Sequence, residues 1–338
     1  MVKAIKKVIS VGAIILCAAI VIGLVSYDFI KSSNTVESTF LAMGTVITTS
    51  ISGKDADAAS EAVEEALIGL ENACLSRRVE GSDVWRINQN SGNDVSVSRE
   101  TAAWVGKALD VSADSDGAFD ITVGKLTQLW NIGSGGETVP QKAEVKKLLE
   151  KVDYKKVAIS NTSVKIDSEQ AIDLGAVGKG IGCDAIKDVL SQYDIKEAVV
   201  SVGGSVLIYN QKASVGIVDP NNSQSHLATV EIDNQCISTS GDYERFFEAD
   251  GKTYHHILDP ETGYPVVTDL RSVTVICDSG LDCDALSTAC FVMGYRSSLD
   301  LLQKYGAEAV FVFDNNTVSV TDGIKDNFKL TSSNYTVE

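Results

Sequence analysis

Two short stretches of this chain bring together residue types that do chemistry. The first is Asp284-Ala285-Leu286-Ser287-Thr288, at the head of an apolar, helix-like run in which Asp284 and Thr288 stand four residues apart and share a face. A carboxylate and a hydroxyl so placed are hard oxygen ligands suited to Mg2+, an ion usually held through one or two carboxylates, substrate phosphate and water. The second is Tyr254-His255-His256-Ile257-Leu258-Asp259-Pro260-Glu261-Thr262-Gly263-Tyr264-Pro265, which holds two of the three histidines of the chain. Pro260 pre-sets φ and Gly263 admits a positive φ, so Asp259 to Gly263 is turn chemistry. A rigid turn after an apolar strand would fix His256 and Asp259 at a strand end, where polar catalytic groups are useful. Taken singly, each residue has a plainer reading. Asp284 can be a helix N-terminal acid, Thr288 a hydroxyl bonded to the carbonyl one turn back, and His256 a hydrogen-bonded core residue.

A third stretch, Asp173-Leu174-Gly175-Ala176-Val177-Gly178-Lys179-Gly180 followed by Asp184, has the look of a phosphate loop. It fails the Walker A pattern, which needs glycine where Asp173 stands and Ser or Thr where Gly180 stands. It fails the dinucleotide fingerprint as well, since Cys183 occupies the position of the last glycine. What remains is a glycine-rich entry to a helix running to about Tyr193, whose N-terminus suits an anion and places Lys179 to meet phosphate.

The elements that must position these groups follow from periodicity. Phe40 to Ile51 has the Val, Ile and Thr content of a strand, with Met43-Gly44-Thr45 inside it. Helical spacing recurs over Asp55 to Cys74 and again over Ser98 to Ala113, while polar, glycine-containing Ser76 to Asn93 reads as a loop. Gln141 to Lys156 reads as a solvated helix. Strands follow near Glu197–Val202, Val206–Tyr209, Ala213–Val218 and Ala228–Ile232 at hairpin intervals. A helix over Ser297–Tyr305 and strands at Ala309–Phe313 and Thr317–Val320 close the chain. The fold class expected is α+β, with mixed, largely antiparallel sheets and packed helices.

Composition bounds the rest. The 338 residues are 44% hydrophobic, enough for a substantial core. With 29 basic against 46 acidic residues the net charge is −17, which argues against a nucleic-acid partner. An acidic enzyme acting on an anionic nucleotide would need local positive charge or a divalent cation. Lys3, Lys6 and Lys7 precede the uncharged run Val8 to Val25, long enough to be a transmembrane candidate. The basic flank would keep residues 1–7 cytoplasmic, leaving 26–38 as a linker and 39–334 as an extracytoplasmic catalytic domain. A cleaved signal peptide is the main rival, and Cys17 invites a lipid-attachment reading that Leu16 disfavours. Six further cysteines are compatible with pairing, and Cys277 with Cys283 is the pair to test first. No CxxC occurs, so a zinc site is disfavoured.

Taken together, the motifs have a family likeness. Met43-Gly44-Thr45, Gly117-Ala118-Phe119-Asp120-Ile121-Thr122, Leu129-Trp130, the stretch Asp173 to Gly180 with Asp184, Gly203-Gly204, Thr239-Ser240-Gly241-Asp242-Tyr243, His255 to Pro260 with Thr262 to Pro265, and Asp284 with Thr288 appear in that order. The series resembles the FAD:protein FMN transferase (ApbE-like) family from about Phe40 to about Asp314. One departure is Ser205, where family members commonly carry Asp or Asn after the paired glycines.

The resemblance implies an enzyme that transfers FMN from FAD to a Thr or Ser hydroxyl of an acceptor protein and releases AMP. It implies Mg2+ held by Ala176 (through its carbonyl), Asp284 and Thr288. It implies FAD contacts at Met43, Ala118, Phe119, Asp120, Lys179 and Ile257. The attacking hydroxyl needs a proton acceptor, and His256, or Asp259 acting on its own or by orienting His256, is the candidate base. The acceptor it implies is a flavoprotein of membrane or extracytoplasmic electron transfer. The rival readings are an FAD pyrophosphatase that uses water, and a non-catalytic, membrane-tethered flavin-binding protein.

Overall fold

The structure, a computed structural model, describes residues 34–338. Met43 and Gly44 carry φ of 55° and 68°, and two successive positive-φ residues are what a tight type I′ hairpin turn demands. The chain therefore folds β1 (Thr35–Ala42) back on β2 (Thr45–Gly53), with Ala42 opposite Thr45. The single strand expected over Phe40–Ile51 is two strands. Strand β1 also begins inside the stretch expected to be linker.

Helix α1 (Ala56–Leu70) follows and buries Ala59, Val63 and Leu67 on one face. The expected loop after it contains a short helix, α2 (Asp83–Gln89), started by Ser82, whose hydroxyl accepts the Trp85 N–H. Then come β3 (Asp94–Ser96), α3 (Arg99–Asp114), α4 (Gly124–Trp130), α5 (Lys142–Leu149), β4 (Ala158–Ser160), β5 (Ser163–Lys165) and α6 (Gly178–Leu190). Strands β6 (Ile195–Val202), β7 (Ser205–Tyr209), β8 (Lys212–Asp219), β9 (Asn222–Asp233), β10 (Cys236–Gly241), β11 (Phe246–Ala249), β12 (Lys252–His255) and β13 (Leu270–Cys277) form the middle of the chain. It closes with α7 (Gly280–Met293), α8 (Tyr295–Lys304), β14 (Glu308–Phe313), β15 (Thr317–Val320), β16 (Phe328–Leu330) and β17 (Thr336–Val337).

One nine-stranded sheet, ordered β1-β2-β6-β7-β10-β13-β14-β15-β17, forms the body. Alternation along its strands supplies two cores. Ile47, Val200, Leu207, Val273 and Val275 face the helix layer, where Leu67, Ile181 and Phe291 meet them. Ile208, Ile237, Ile276 and Val312 face the other way, under the small sheet β16-β9-β8. A third, smaller cluster gathers Leu126, Trp130, Val145 and Leu258. Here the Trp130 indole N–H donates to the Gly263 carbonyl at 2.8 Å and pins the Asp259–Gly263 turn to the body.

The α+β class stands, but the membrane anchor attached to it needs correction. Among the described residues no helix is long and apolar enough to cross a membrane. Helix α3, with 16 residues, is amphipathic and falls short of the roughly 20 apolar residues a span needs. The stretch 8–25 on which the anchor was expected lies outside the described residues. The transmembrane helix, the single-pass topology and the membrane as partner are therefore not carried further. Cys277 and Cys283 are neighbours, with sulfurs 2.9 Å apart and both thiols free.

Candidate functional site

Helices α6 and α7 cross at two glycines. A Cβ on Gly180 would stand 1.9 Å from the Gly280 carbonyl oxygen, and one on Gly280 would stand 2.3 Å from that of Gly180. Only the absence of both side chains lets the two N-termini approach this closely. The approach delivers Asp284 to the Gly180 N–H, which donates to its Oδ2 at 2.6 Å. On the far side of Asp284, strands β7 and β10 pair Ser205 with Ser238. The Ser205 hydroxyl donates to Asp284 Oδ1 at 2.6 Å, and the Ser238 hydroxyl donates to the same oxygen. Two residues along β10, on the same face, Ser240 lies 2.8 Å from the Ser287 hydroxyl and 3.2 Å from that of Thr288. A buried carboxylate is thus held by three uncharged donors, with a threonine hydroxyl one helical turn away.

These groups border a cavity of about 1160 Å3. Ten of the residues singled out from sequence line it: Met43, Ala118, Phe119, Asp120, Ala176, Lys179, His256, Ile257, Asp284 and Thr288. Asp259 does not. Its carboxylate accepts the Glu261 N–H at 2.8 Å and the Thr262 hydroxyl at 3.0 Å, so it shapes the turn and does not face the cavity. Turn chemistry, the very signal that drew attention to Asp259, is what occupies it.

The other residues have identifiable local causes. Met43 sits in the positive-φ turn, and its N–H donates to Glu71 Oε2 at 2.6 Å. Asp120 accepts the Thr122 N–H at 2.7 Å, the Thr122 hydroxyl at 2.6 Å and the Tyr154 N–H at 3.0 Å. Burial nevertheless outweighs these bonds and raises its carboxyl above the usual range. Ala176 precedes helix α6, and among the described residues no backbone N–H donates to its carbonyl.

The His256 imidazole is pushed down to about 3, first by burial and then by the positive charges of Arg245, Lys179 and His255. Its Nδ1 is buried without a hydrogen-bond partner. The ring is therefore neutral at pH 7. Adjacent His255 plays a structural part: its Nε2–H donates to the Val266 carbonyl at 3.0 Å, and its Nδ1 accepts the Ile257 N–H at 3.3 Å.

Sequence reasoning missed several groups. Arg77, Arg78 and Arg245 join Lys179 in the cavity, beside the carboxylates of Asp120, Asp173, Glu244 and Asp284, so cations that could meet an anion stand there among acidic partners. Asp173 accepts the Arg77 Nε–H at 3.0 Å and the Thr127 hydroxyl at 2.7 Å, and so orients that arginine. The adjacent pair Arg77-Arg78 in an otherwise polar loop was the available signal. Ser205 stood out only as a departure after the paired glycines, and its contact with Asp284 was not legible, because a serine in a strand does not announce which face it serves. Among the described residues no cluster of three or more His, Cys, Asp or Glu side chains could hold a metal ion.

The likeness to known proteins is extensive. The model of the ApbE family matches residues 43–311. A protein of Treponema pallidum named FAD:protein FMN transferase is 33% identical over 303 residues, covering 82% of this chain and 84% of that one. One of the same name from Klebsiella pneumoniae is 34% identical, covering 76% and 83%. Among solved structures, the ApbE protein of Thermotoga maritima matches with a TM-score of 0.81 at 30% identity, covering 87% of this chain and 99% of its own. The apo form of the Pseudomonas stutzeri flavinyl transferase ApbE matches with a TM-score of 0.77 at 28% identity, over 88% and 98%. With a family model spanning most of its length and relatives above 30% identity over three quarters of it, this chain belongs to the ApbE family.

Proposed function

We propose that this cavity transfers FMN from FAD to a Thr or Ser hydroxyl of an acceptor protein, with Mg2+, and releases AMP. The chain is an enzyme, an FAD:protein FMN transferase, as its relatives are named. The observation that carries the residue-level reading is the placement of Asp284, held by Gly180, Ser205 and Ser238, in one cavity with Lys179 and His256.

The donor set fits Mg2+. Asp284 is 2% exposed and its hydrogen-bond partners are all uncharged, so a nearby cation would offset the cost of burying it. Asp284, the Thr288 hydroxyl and the Ala176 carbonyl are all oxygen ligands, and a single carboxylate leaves coordination to phosphate and water. That is why the site is not a cluster of acidic or imidazole side chains. Bound there, Mg2+ would neutralise charge on the phosphates of FAD.

The protein's own residues position and deprotonate. Lys179 at the α6 N-terminus, with Arg77 and Arg245, binds the diphosphate. Phe119, Ala118, Met43 and Ile257 give the flat flavin apolar contact, while Asp120 rigidifies the loop that presents Phe119. The acceptor hydroxyl attacks the FMN-side phosphorus, the bond to the AMP oxygen breaks, and His256 takes the hydroxyl proton. Arg245 and Lys179 are among the groups that hold His256 down. A bound diphosphate offsets both charges and so raises the imidazole, against the burial that is the larger cause of its depression.

The test is His256→Asn. It keeps FAD binding and loses roughly 100-fold or more in transfer rate. Unchanged transfer would remove His256 from the mechanism.

A further inference from the structure

The cavity does not end at the helix layer. Strand register places Thr39, Thr48, Ser201 and Val206 in one cross-strand row of the large sheet. Glu37, Ser50 and Val199 form the next row. The alternate residues Ile47, Val200 and Val202 belong to the helix-side core, whereas Val199 and Val206 pack toward the core under the small sheet. Both rows therefore lie on the face opposite Asp284, yet they line the same cavity. Beyond them the cavity is walled by Val218, Ser223 and His226 of the β8–β9 hairpin.

The two arms meet at the β6–β7 turn. Gly203 has φ of 63°, and a Cβ there would stand 2.8 Å from Thr45 Oγ1 and 3.3 Å from Lys179 Cδ. At Gly204 a Cβ would stand 3.1 Å from Lys179 Nζ. The glycine pair thus forms a low saddle beside the lysine assigned to the diphosphate.

The arms differ in their charged groups. The cations Arg77, Arg78, Lys179 and Arg245 stand with the dinucleotide contacts, beside the carboxylates of Asp120, Asp173, Glu244 and Asp284, whereas the sheet-face rows hold hydroxyls, valines, Glu37 and no cation. An anionic nucleotide has no counter-charge on that face, whereas an uncharged, hydrogen-bonding chain does well there. The volume of about 1160 Å3 also exceeds the roughly 300–1,000 Å3 typical of a single-ligand site. Among the described residues β1 is the edge strand of the sheet, and its Glu37 and Thr39 are exposed.

We propose that the sheet-face arm binds the acceptor, as an uncharged, extended polypeptide segment lying across β1, β2 and β6. The segment delivers its Thr or Ser hydroxyl over Gly203-Gly204. The new bond joins that oxygen to the FMN-side phosphorus, the bond to AMP breaks with its oxygen leaving on AMP, and the proton passes to His256. This rests on the transfer reading above.

The probe is a library of synthetic peptides of about ten residues, enough to cross the rows, with one central Thr and uncharged flanks. Wild-type protein, Thr39→Trp and Ser50→Trp are compared with FAD and MgCl2 for FAD affinity, acceptor-free AMP release, peptide adduct mass and melting temperature. The wild type binds FAD and labels peptides. Each variant keeps FAD affinity within about twofold and loses roughly tenfold or more in kcat/KM for the peptide, mostly through KM. Unchanged labelling in both variants overturns the proposal. So does a parallel loss of FAD affinity, which would put the nucleotide on the sheet face, and so does a wild type that consumes FAD but labels no peptide. A wild type that neither binds nor consumes FAD refutes the transfer reading itself. Should the tryptophan variants not fold, Thr39→Cys carrying a benzophenone must photocrosslink to the peptide, and absence of a crosslink overturns the proposal.

Discussion

Asp184 and Asp284 each cap the other's helix. The Asp184 carboxylate, on α6, accepts the first N–H groups of α7, from Gly280 at 2.6 Å and Leu281 at 3.0 Å. Asp284, on α7, accepts the Gly180 N–H of α6 at 2.6 Å. The exchange locks two helix N-termini face to face, with positive dipole ends converging beside the cavity. The two carboxylates nevertheless have different surroundings: only Asp284 lines the cavity.

The pair therefore separates stability from chemistry. Asp184→Ala leaves the Gly280 and Leu281 N–H groups without their acceptor, although Ser279 still caps α7 at the Asp282 N–H, and costs about 2 kcal/mol, a melting-temperature drop of roughly 5 °C. Its FAD turnover at low temperature stays within a few-fold of wild type. Asp284→Asn keeps the melting temperature within a few degrees and loses roughly 100-fold or more in FAD turnover. Calorimetry and AMP release on the two variants check both statements.

Ser205 and Ser238 orient the Asp284 carboxylate, Ser205 from outside the cavity lining and Ser238 from within it. Removing either hydroxyl, in Ser205→Ala or Ser238→Ala, weakens Mg2+ binding by about tenfold, as loss of a ligand's supporting hydrogen bond commonly does. Titration of FAD binding against MgCl2 reads this shift. Saturating Mg2+ restores most of the turnover.

Gly180 allows no side chain. Gly180→Ala drives a methyl into the Gly280 carbonyl and lowers the melting temperature by more than Asp184→Ala does. By contrast, a Cβ on Gly69 in helix α1 meets nothing within 4 Å. Gly69→Ala therefore stabilises by about 0.5–1 kcal/mol. Thermal melts of the two variants move in opposite directions.

His256 gives a pH signature. Its folded-state value near 3 lies below the ordinary 6.5, so below pH 6.5 the unfolded chain binds the extra proton and stability is lost as pH falls. The loss is on the order of 1 kcal/mol by pH 5.5. Asp120 and Asp184, whose carboxyls are raised by burial, push the other way, but they do so in wild type and variant alike. Between pH 7.5 and 5.5 the melting temperature of His256→Asn consequently falls less than that of the wild type.

The sequence carried much of this site because its signals were local. The i, i+4 spacing of Asp284 and Thr288, the glycines around Lys179 and the Asp-Pro turn are each complete within a few residues, and the longer helices and many of the strands followed from periodicity, whereas the short helices α2 and α4 did not. What it did not carry depends on positive φ at a residue that seldom adopts it, or on register. Met43 gave no hint of a hairpin turn because methionine rarely takes φ of 55°. The Ser205 and Ser238 contacts exist only because β7 and β10 pair in one register. Asp259 shows the opposite failure, since a residue that builds a turn reads in sequence like one the turn presents. The membrane anchor was inferred from residues outside those the structure describes, and nothing within 34–338 supplies a spanning helix.

The most direct test of the account is mass spectrometry of an acceptor flavoprotein after incubation with this protein, FAD and MgCl2, alongside measurement of AMP. The account predicts an adduct of one FMN on a Thr or Ser, one AMP per adduct, and loss of both in Asp284→Asn. Release of free FMN and AMP with no adduct would make the protein a pyrophosphatase and contradict the account.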